Sequence, residues 1–406
     1  MALYHDLNID LTPEQIAIKE ETHKFAKEVL RPASIELDKM APEEVIKSDL
    51  MWNALRKGYD LGFHTIFIPD GYGGLATDPL ETHIVLEELA WGSVDFAISL
   101  GVACFPAFFA SMVPTDRLID EIIEPYCACT DASIIGCWGI TEPEHGSDTL
   151  CPFTPQFEDP DITGQVTARL DGDAYVIEGQ KSAWVSNGTL ATQALVYLTI
   201  DPTKGMSGGG ICIVPLELPG VRRGKPLDKM GQRALNQGEI YFDSVRVPKD
   251  YMLVDEESYP AMLDITLSTA NAAMGAMFVG VARAAYEEAL AYAKQRVQGG
   301  NVLFEHQLIK HKLFNMFTKI EAGRALSRAA MIYNYNNTPP KIEYSIASKV
   351  FCTNLALEVT SEAIQIFGGN GLTREYPVEK FFRDARAGMI EDGANDTLML
   401  TGAHHL

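Results

Sequence analysis

Residues 166–177 read VTARLDGDAYVI, two short runs of strand-favouring residues separated by Asp171-Gly172. Because Asp-Gly is a preferred two-residue turn between antiparallel strands, this stretch predicts a β-hairpin. Apolar or alternating runs separated by Gly and Pro clusters continue the pattern, at Ala194–Ile200, Gly210–Pro215 and Glu239–Val247. The middle third of the chain is therefore predicted to form a β domain.

The sequence before this region has helical character. Thr12-Pro13-Glu14-Gln15 has the pattern of a capping box with proline at the first helical position. Arg31-Pro32 is predicted to end that helix, because proline disfavours helical backbone at the preceding residue. Further helices are predicted from about Asp49 to Gly62 and around Pro79 to Ala90.

The last third is helical again, with predicted helices over Ala270–Gln295, His306–Met331 and Ile342–Phe367. Helices, then strands, then helices is an order typical of an α+β fold and not of a doubly wound βαβ fold. We expect an N-terminal helical domain over residues 1–130, a central β domain over 131–250 and a C-terminal helical domain over 251–406.

Composition excludes several classes of protein. The 406 residues carry a formal charge of −22, which disfavours binding to nucleic acid or to anionic membrane surfaces. Seven scattered cysteines are not a disulfide framework, and Cys127-Ala-Cys129 has neither a second pair nor a histidine at ligand spacing, so no metal site is expected. The N-terminus, with Asp6 and Asp10, has no apolar signal-peptide core.

No transmembrane segment is predicted, because the longest apolar stretch, Ala270–Ala285, is shorter than the roughly 20 residues that span a bilayer. Together with the cysteine pattern, this predicts a cytoplasmic protein. The sequence contains no Gly-x-Gly-x-x-Gly between a strand and a helix, no P-loop and no Gly-x-Ser-x-Gly. A nicotinamide-binding Rossmann enzyme, a nucleoside triphosphatase and an α/β-hydrolase are therefore disfavoured.

Four segments combine residues suited to chemistry or to cofactor binding. The segments are Gly139–Asp148 (GITEPEHGSD), Lys181–Gly188 (KSAWVSNG), Gln365–Gly371 (QIFGGNG) and Arg383–Asp396, with its acidic run Ile390–Asp396 (IEDGAND). Each also has a structural alternative. In the same order, these are a solvated turn, a tryptophan in a β core, a glycine C-cap and the capping of a helix.

The order and spacing of these segments resemble the acyl-CoA dehydrogenase family of flavoproteins over nearly the whole chain. The resemblance extends to Phe242–Pro248 and to the run from Arg296 to Gln307. It implies a helical N-terminal domain, a central β-barrel-like domain and a C-terminal four-helix bundle that forms a homotetramer. It also implies FAD as cofactor, an acyl-CoA substrate and electron-transfer flavoprotein as the electron acceptor.

The resemblance also assigns cofactor contacts. Those along the isoalloxazine and pyrophosphate, or at the ring system, are Trp138, Ile140, Thr141, Ser147, Trp184 and Ser186. Those at the adenine half, some of them supplied by a neighbouring subunit, are Arg296, Gln307, Gln365, Gly368 and Gly369.

The catalytic base departs from the family pattern of glutamate followed by glycine and threonine. Here the stretch reads Glu391-Asp392-Gly393-Ala394, and the register set by Gly393 places Asp392 at the base position. Glu391 remains the alternative. Gly299 and Asn271 also occupy positions where the family usually has an aromatic residue and an arginine.

With an aspartate at the base position, this sequence resembles the cyclohexane- and cyclohex-1-ene-1-carboxyl-CoA dehydrogenases within the family. With Asp95 as a second carboxylate at the acyl pocket, it would allow a 1,4-elimination that gives the 1,5-diene; the alternative for Asp95 is a helix N-cap. Cyclohexanecarboxyl-CoA to the 1-ene is a related reaction. Alternatives are ordinary short- or branched-chain 2,3-dehydrogenation, or a non-redox relative that only binds flavin and acyl-CoA.

Overall fold

The computed structural model describes residues 11–76 and 78–406, so Asp6 and Asp10 lie outside the described residues. The N-terminal part is helical. Its helices are α1 (Pro13–Phe25), α2 (Arg31–Leu37), α3 (Pro42–Val45), α4 (Asp49–Asp60), α5 (Pro79–Gly92), α6 (Val94–Ala103), α7 (Phe105–Met112), α8 (Asp116–Leu118) and α9 (Glu124–Cys127).

The first helix begins as predicted but does not end at the proline. The Gln15 amide donates to Thr12 Oγ1 and the Thr12 amide donates to Gln15 Oε1, which confirms the capping box. The prediction that Arg31-Pro32 ends the helix is wrong. A π-helical turn over Ala26–Leu30 joins α1 to α2, so Pro32 falls in the first turn of a new α segment, where no amide donor is needed.

The middle domain contains one mixed sheet. Its strands are β1 (Gly136–Gly139), β2 (Thr167–Asp171), β3 (Ala174–Lys181), β4 (Gln193–Thr199), β5 (Gly209–Pro215), β6 (Val221–Arg223), β7 (Ile240–Pro248) and β8 (Met252–Val254). The order across the sheet is β6-β7-β3-β2-β4-β5-β8, with β1 parallel to β4. The predicted hairpin is confirmed as the antiparallel pair β2–β3, with Gly172 at a φ of 68° in the turn. The sheet is not closed, so the term barrel-like is too strong.

The C-terminal part is again helical. A hairpin of β9 (Val297–Gln298) and β10 (Asn301–Val302) separates the first two long helices of α10 (Tyr259–Gln295), α11 (Gln307–Asn336), α12 (Ile342–Phe367), α13 (Val378–Gly388) and α14 (Asn395–His404). Both Gly299 and Gly300, in the hairpin turn, have positive φ. This backbone explains why glycine and not an aromatic residue stands at position 299.

Helix α10 forms the centre of the bundle. It packs against α5, α11, α12 and α13. Its length and hydropathy would suffice for a membrane span, and the bent pair α6–α7 would pass the same test, but 89% of the apolar window of α10 is buried inside the protein. That burial makes the helix weak evidence for a membrane span. All seven cysteines are free, as the cysteine pattern predicts.

A buried ionic cluster joins the N-terminal helices to this bundle. Arg283 on α10 donates through Nη1 to Glu87 (2.8 Å) and Glu88 (2.7 Å) on α5, and Arg324 on α11 donates through Nη2 to Glu87 (2.9 Å). Burial acts to raise the pKa of Glu87, but Arg324 and Arg283 together lower it well below its usual value. The cluster therefore stays ionised and fixes α5 against two helices of the C-terminal domain.

We predict that Arg283→Met destabilises the fold by about 3–5 kcal/mol, because it leaves two buried carboxylates without their closest counterion. Urea unfolding followed by circular dichroism measures this change. Lys39→Met is the control, because it removes only an exposed ion pair with Glu36 and should leave the unfolding midpoint almost unchanged. Equal midpoints for the two variants would contradict a stabilising role for the cluster.

Candidate active site

The segment Gly139–Asp148 begins at the last residue of β1, and a buried ion pair fixes its position. Lys181, at the end of β3, donates to Glu142 Oε1 (2.6 Å) and to the Ile140 carbonyl (3.0 Å). Glu142 also accepts the amide hydrogen of Val166 (3.1 Å). These bonds fix the backbone of the segment, so Thr141 and Ser147 have defined positions at the domain surface.

The segment Lys181–Gly188 lies beside it. The Ser182 amide donates to the Thr141 carbonyl (2.8 Å), and Ser186 Oγ accepts a hydrogen bond from Gln237 Nε2 (3.1 Å). The Trp184 side chain is 58% exposed, which is unusual for so large an apolar group. The interpretation of Trp184 as a residue of the β core is therefore wrong.

Trp138 is placed differently. Its ring is 7% exposed and packs against Phe105 (5.3 Å between centroids) and Tyr197 (6.2 Å). The Trp138 side chain therefore packs in the core next to β1. The neighbouring Ile140 is partly buried.

The acidic run Ile390–Asp396 forms a tight turn after α13 and the first two residues of α14. Asp392 and Gly393 have φ values of 53° and 98°, in the left-handed region. Ser147 Oγ accepts the amide hydrogen of Ala394 (2.9 Å), and Lys349 on α12 donates to the Gly393 carbonyl (2.7 Å). The structure therefore brings the first predicted segment into contact with the predicted base loop, 247 residues apart in sequence.

The two acidic side chains of this loop differ in their partners. Glu391 Oε1 accepts a hydrogen bond from Gln232 Nε2 (2.6 Å), whereas Asp392 is half-buried and makes no side-chain hydrogen bond with any residue that the structure describes. Burial raises the pKa of Asp392 to about 6, against the lowering effect of Lys349. Burial and the charge of Asp392 raise the pKa of Glu391 to about 7. Carboxylates with raised pKa are stronger bases toward a carbon acid.

Asp95 lies in the first turn of α6 and is fully buried. It accepts hydrogen bonds from the Ala234 amide (3.0 Å), from Lys380 Nζ (3.3 Å) and from Ser34 Oγ (3.4 Å). The N-cap interpretation is wrong, because Ser93 caps this helix by accepting from the Phe96 amide. A catalytic role for Asp95 stays a prediction.

A polar chain connects Asp95 with the base loop. Lys380 also donates to Asp384 (2.5 Å), and Asp384 accepts the Gln232 amide hydrogen (2.5 Å). Gln232 in turn holds Glu391. Asp95 therefore reaches the loop only through other side chains, and within the described residues it makes no direct hydrogen bond to Asp392.

The residues assigned to the adenine half lie at or just beyond the ends of three bundle helices, α10, α11 and α12. Tyr292, near the end of α10, stacks on Phe367 at the end of α12 (4.0 Å between centroids), and Asn370 donates to the Tyr292 hydroxyl. All of these assigned residues are exposed: Arg296, Gln307, Gln365, Gly368 and Gly369. None of them contacts the segment Gly139–Asp148 through a hydrogen bond in the described chain.

These features fit a flavin dinucleotide. The exposed indole of Trp184 offers a flat apolar face. The segment that carries it is joined to the Thr141 carbonyl by the Ser182 amide and to Gln237 by the Ser186 hydroxyl. The space in front of Gly368 and Gly369 is open, so a ligand can approach the backbone there. The first group would hold the ring system and the second the adenine half.

Gln232, Lys349 and Lys380 were missed by sequence reasoning. Lys349 is the most visible of them in retrospect, because it is a charged residue among the buried positions of α12 that include Ile346 and Cys352. Gln232 carries no such signal, since its role depends on a backbone φ of 49° and on partners more than 150 residues away.

Each of the three parts of the chain matches a known protein family. Residues 12–110, 137–245 and 263–406 match the N-terminal, middle and C-terminal domains of acyl-CoA dehydrogenases, respectively. The protein named "Probable acyl-CoA dehydrogenase YngJ" from Bacillus subtilis is 30% identical, over 98% of this chain and 100% of its own. Cyclohexane-1-carbonyl-CoA dehydrogenase from Geobacter metallireducens is 31% identical, over 97% of this chain and 98% of its own.

Among solved structures, butyryl-CoA dehydrogenase from Megasphaera elsdenii superposes with a TM-score of 0.87 at 29% identity, covering 98% of this chain and 99% of that one. The expected architecture of helical, sheet and helical domains is thereby confirmed. Since the family matches cover most of the sequence, this chain belongs to the acyl-CoA dehydrogenase family of FAD-dependent oxidoreductases.

Proposed function

We propose that Asp392 is the base in the dehydrogenation of an alicyclic acyl-CoA. The observation that carries this proposal is the difference between the two loop carboxylates. Glu391 accepts a hydrogen bond from Gln232. Asp392 is half-buried, and both of its carboxylate oxygens are free of side-chain hydrogen bonds in the described chain. A general base must have a free lone pair within reach of the proton that it removes.

The residues of this chain then have separate tasks. Asp392 removes the substrate proton, from the α-carbon of a saturated thioester or from an allylic ring carbon of the cyclohexene thioester. Ser147 keeps the base loop against the cofactor segment through the Ala394 amide. FAD, when bound, accepts the hydride that leaves the substrate. Burial raises the pKa of Asp392, which makes it a stronger base toward a carbon acid.

An alicyclic acyl group is supported by two features. The aspartate at the base position is one methylene shorter than the usual glutamate, and a cyclohexane-1-carbonyl-CoA dehydrogenase is among the relatives at about 30% identity. In the proposed 1,4-elimination, cyclohex-1-ene-1-carboxyl-CoA loses a proton from one allylic ring carbon and a hydride from the other. The ring double bond shifts, two new ones result, and the product is the 1,5-diene.

A second candidate is 2,3-dehydrogenation of a short straight-chain acyl-CoA. The likeness to butyryl-CoA dehydrogenase, as close in identity as the alicyclic relative, favours it. Both candidates use the same base and cofactor. Relative rates with cyclohexene and straight-chain thioesters separate the two candidates.

We also propose a homotetramer that passes electrons to electron-transfer flavoprotein in the cytoplasm. Large apolar side chains on the outside of the bundle support self-association, among them Leu308 (66% exposed) and Phe314 (70% exposed) on α11. Gln307, one of the exposed adenine-side residues, is the first residue of this helix, and a neighbouring subunit would cover it.

The first test compares Asp392→Asn with Glu391→Gln under anaerobic mixing with acyl-CoA. The Asp392 variant should bleach the flavin about a thousand-fold more slowly than the wild type, and the Glu391 variant less than ten-fold more slowly. Because the ionised base is required and its pKa is about 6, the wild-type rate should rise with pH through that value. A larger loss of rate in the Glu391 variant would identify Glu391, and not Asp392, as the base.

The second test uses Asp95→Asn and a panel of straight-chain, branched, cyclohexane and cyclohexene thioesters. If Asp95 takes part in the 1,4-elimination, the variant should lose at least ten-fold in rate with cyclohexenecarboxyl-CoA and much less with the saturated thioesters. Stopped-flow flavin absorbance measures each rate. An unchanged rate with the cyclohexene substrate would leave Asp95 as a structural partner of Lys380 alone.

The third test concerns assembly. Light scattering of the purified protein should give four times the chain mass of 44.6 kDa, and Phe314→Glu should give smaller species because it charges the proposed interface. Leu170→Glu, at an exposed apolar position on β2, is the control and should keep the wild-type mass. A monomeric wild type would refute the tetramer.

A further inference from the structure

Lys349 on α12 is fully buried directly behind the base loop. Its ammonium donates to the Gly393 carbonyl (2.7 Å) and to Asn395 Oδ1 (2.8 Å). Asn395 is itself fixed, because its Nδ2 donates to Thr353 Oγ1 (3.0 Å) on the same helix as Lys349. The lysine therefore connects α12 with the turn that contains Asp392 and with the first residue of α14.

The partners of Lys349 are unusual for a buried cation. Two other buried lysines, Lys181 and Lys380, each contact a carboxylate, at 2.6 Å and 2.5 Å. Lys349 contacts only neutral oxygens, and no carboxylate lies within ion-pair distance of it among residues 11–76 and 78–406. A buried charge without a direct counterion is costly, so a simple structural role would be served as well by an uncharged donor.

The charges that do face Lys349 are those of the base loop. Asp392 and Glu391 act on it through space, in that order of strength. From the middle domain, Gln232 and Lys229 act on Glu391 and not directly on the lysine. The electrostatic effect of Lys349 is therefore directed at the two loop carboxylates.

We infer that Lys349 is a positioning residue of the reaction, which fixes the left-handed turn at Gly393 and keeps Asp392 ionised until it accepts the substrate proton. This inference rests on the proposed function of Asp392. A full charge near a partly desolvated carboxylate offsets part of the cost of burying it, without occupying its oxygens. Asp392 therefore stays both charged and free to react.

The titration behaviour of the two groups is consistent with this role. Burial lowers the pKa of Lys349 to about 8 and raises the pKa of Asp392 to about 6. Between these values the ammonium and the carboxylate are charged at the same time. Removing the cation should raise the pKa of Asp392 further, so a smaller fraction of the base would be ionised near pH 6.

The test compares holoenzyme variants Lys349→Met, which removes the charge, and Lys349→Arg, which keeps it. In Lys349→Met the rising limb of flavin reduction against pH should move upward by about one unit, which gives about ten-fold slower reduction below the limb. Lys349→Arg should keep the limb within about 0.3 units of the wild type. The matched control is Lys319→Met, which removes a lysine on α11 that pairs with Glu358 on α12. This variant should not move the limb.

A second readout separates this inference from the proposed function. Infrared titration of holoenzyme labelled with ¹³C in its aspartate carboxyl groups, assigned with Asp392→Asn, reports the pKa of Asp392 without any substrate. An upward shift of about one unit in Lys349→Met supports the inference, and an unchanged value overturns it. If Lys349→Met does not fold, Lys349→Gln gives the same comparison. Absence of bleaching by every acyl-CoA in the wild type would refute the proposed function, while the infrared shift would still decide the role of Lys349.

Discussion

A carboxylate that removes a proton from carbon must leave bulk water without losing its charge. For the base that we propose, this requirement applies to a loop of a few residues, Glu391–Gly393, with left-handed backbone at Asp392 and Gly393. The loop is fixed by neighbours from two domains: Ser147 and Gln232 from the middle domain, Lys349 from the bundle. Each of these side chains binds backbone or the neighbouring carboxylate, and none occupies the oxygens of Asp392.

The fold serves this arrangement by fixing the domains against one another through buried charge. Glu87 and Glu88 on α5 meet Arg283 and Arg324 from the bundle, and Lys380 on α13 meets Asp95 on α6. Such pairs contribute less to stability than apolar packing of equal volume, but they accept few alternative geometries. The base loop that we propose is fixed by side chains from separate domains and would need that kind of precision, because small displacements of a base slow proton transfer strongly.

Local sequence signals predicted much of this architecture. The capping box at Thr12, the Asp171-Gly172 hairpin and the long C-terminal helices all depend on residues close in sequence, and the structure confirms them. The continuation of the helix through Pro32 was not predictable in the same way, since a π turn absorbs the missing donor. Openness of the sheet depends on how its edges pack. The network around the base loop joins residues up to 285 positions apart, as in Lys380 with Asp95, and no local pattern encodes such pairings.

The ionic cluster on α5 also bears on how the chain reaches its native state. Glu87 lies 196 residues before Arg283 and 237 before Arg324. During synthesis the N-terminal helices therefore emerge long before the arginines that neutralise them, and contacts of such separation form slowly. Until the bundle arrives, α5 must keep its two glutamates hydrated. The N-terminal domain is not expected to be stable on its own. In nascent chains of this protein, folding of the N-terminal domain should depend on the C-terminal half.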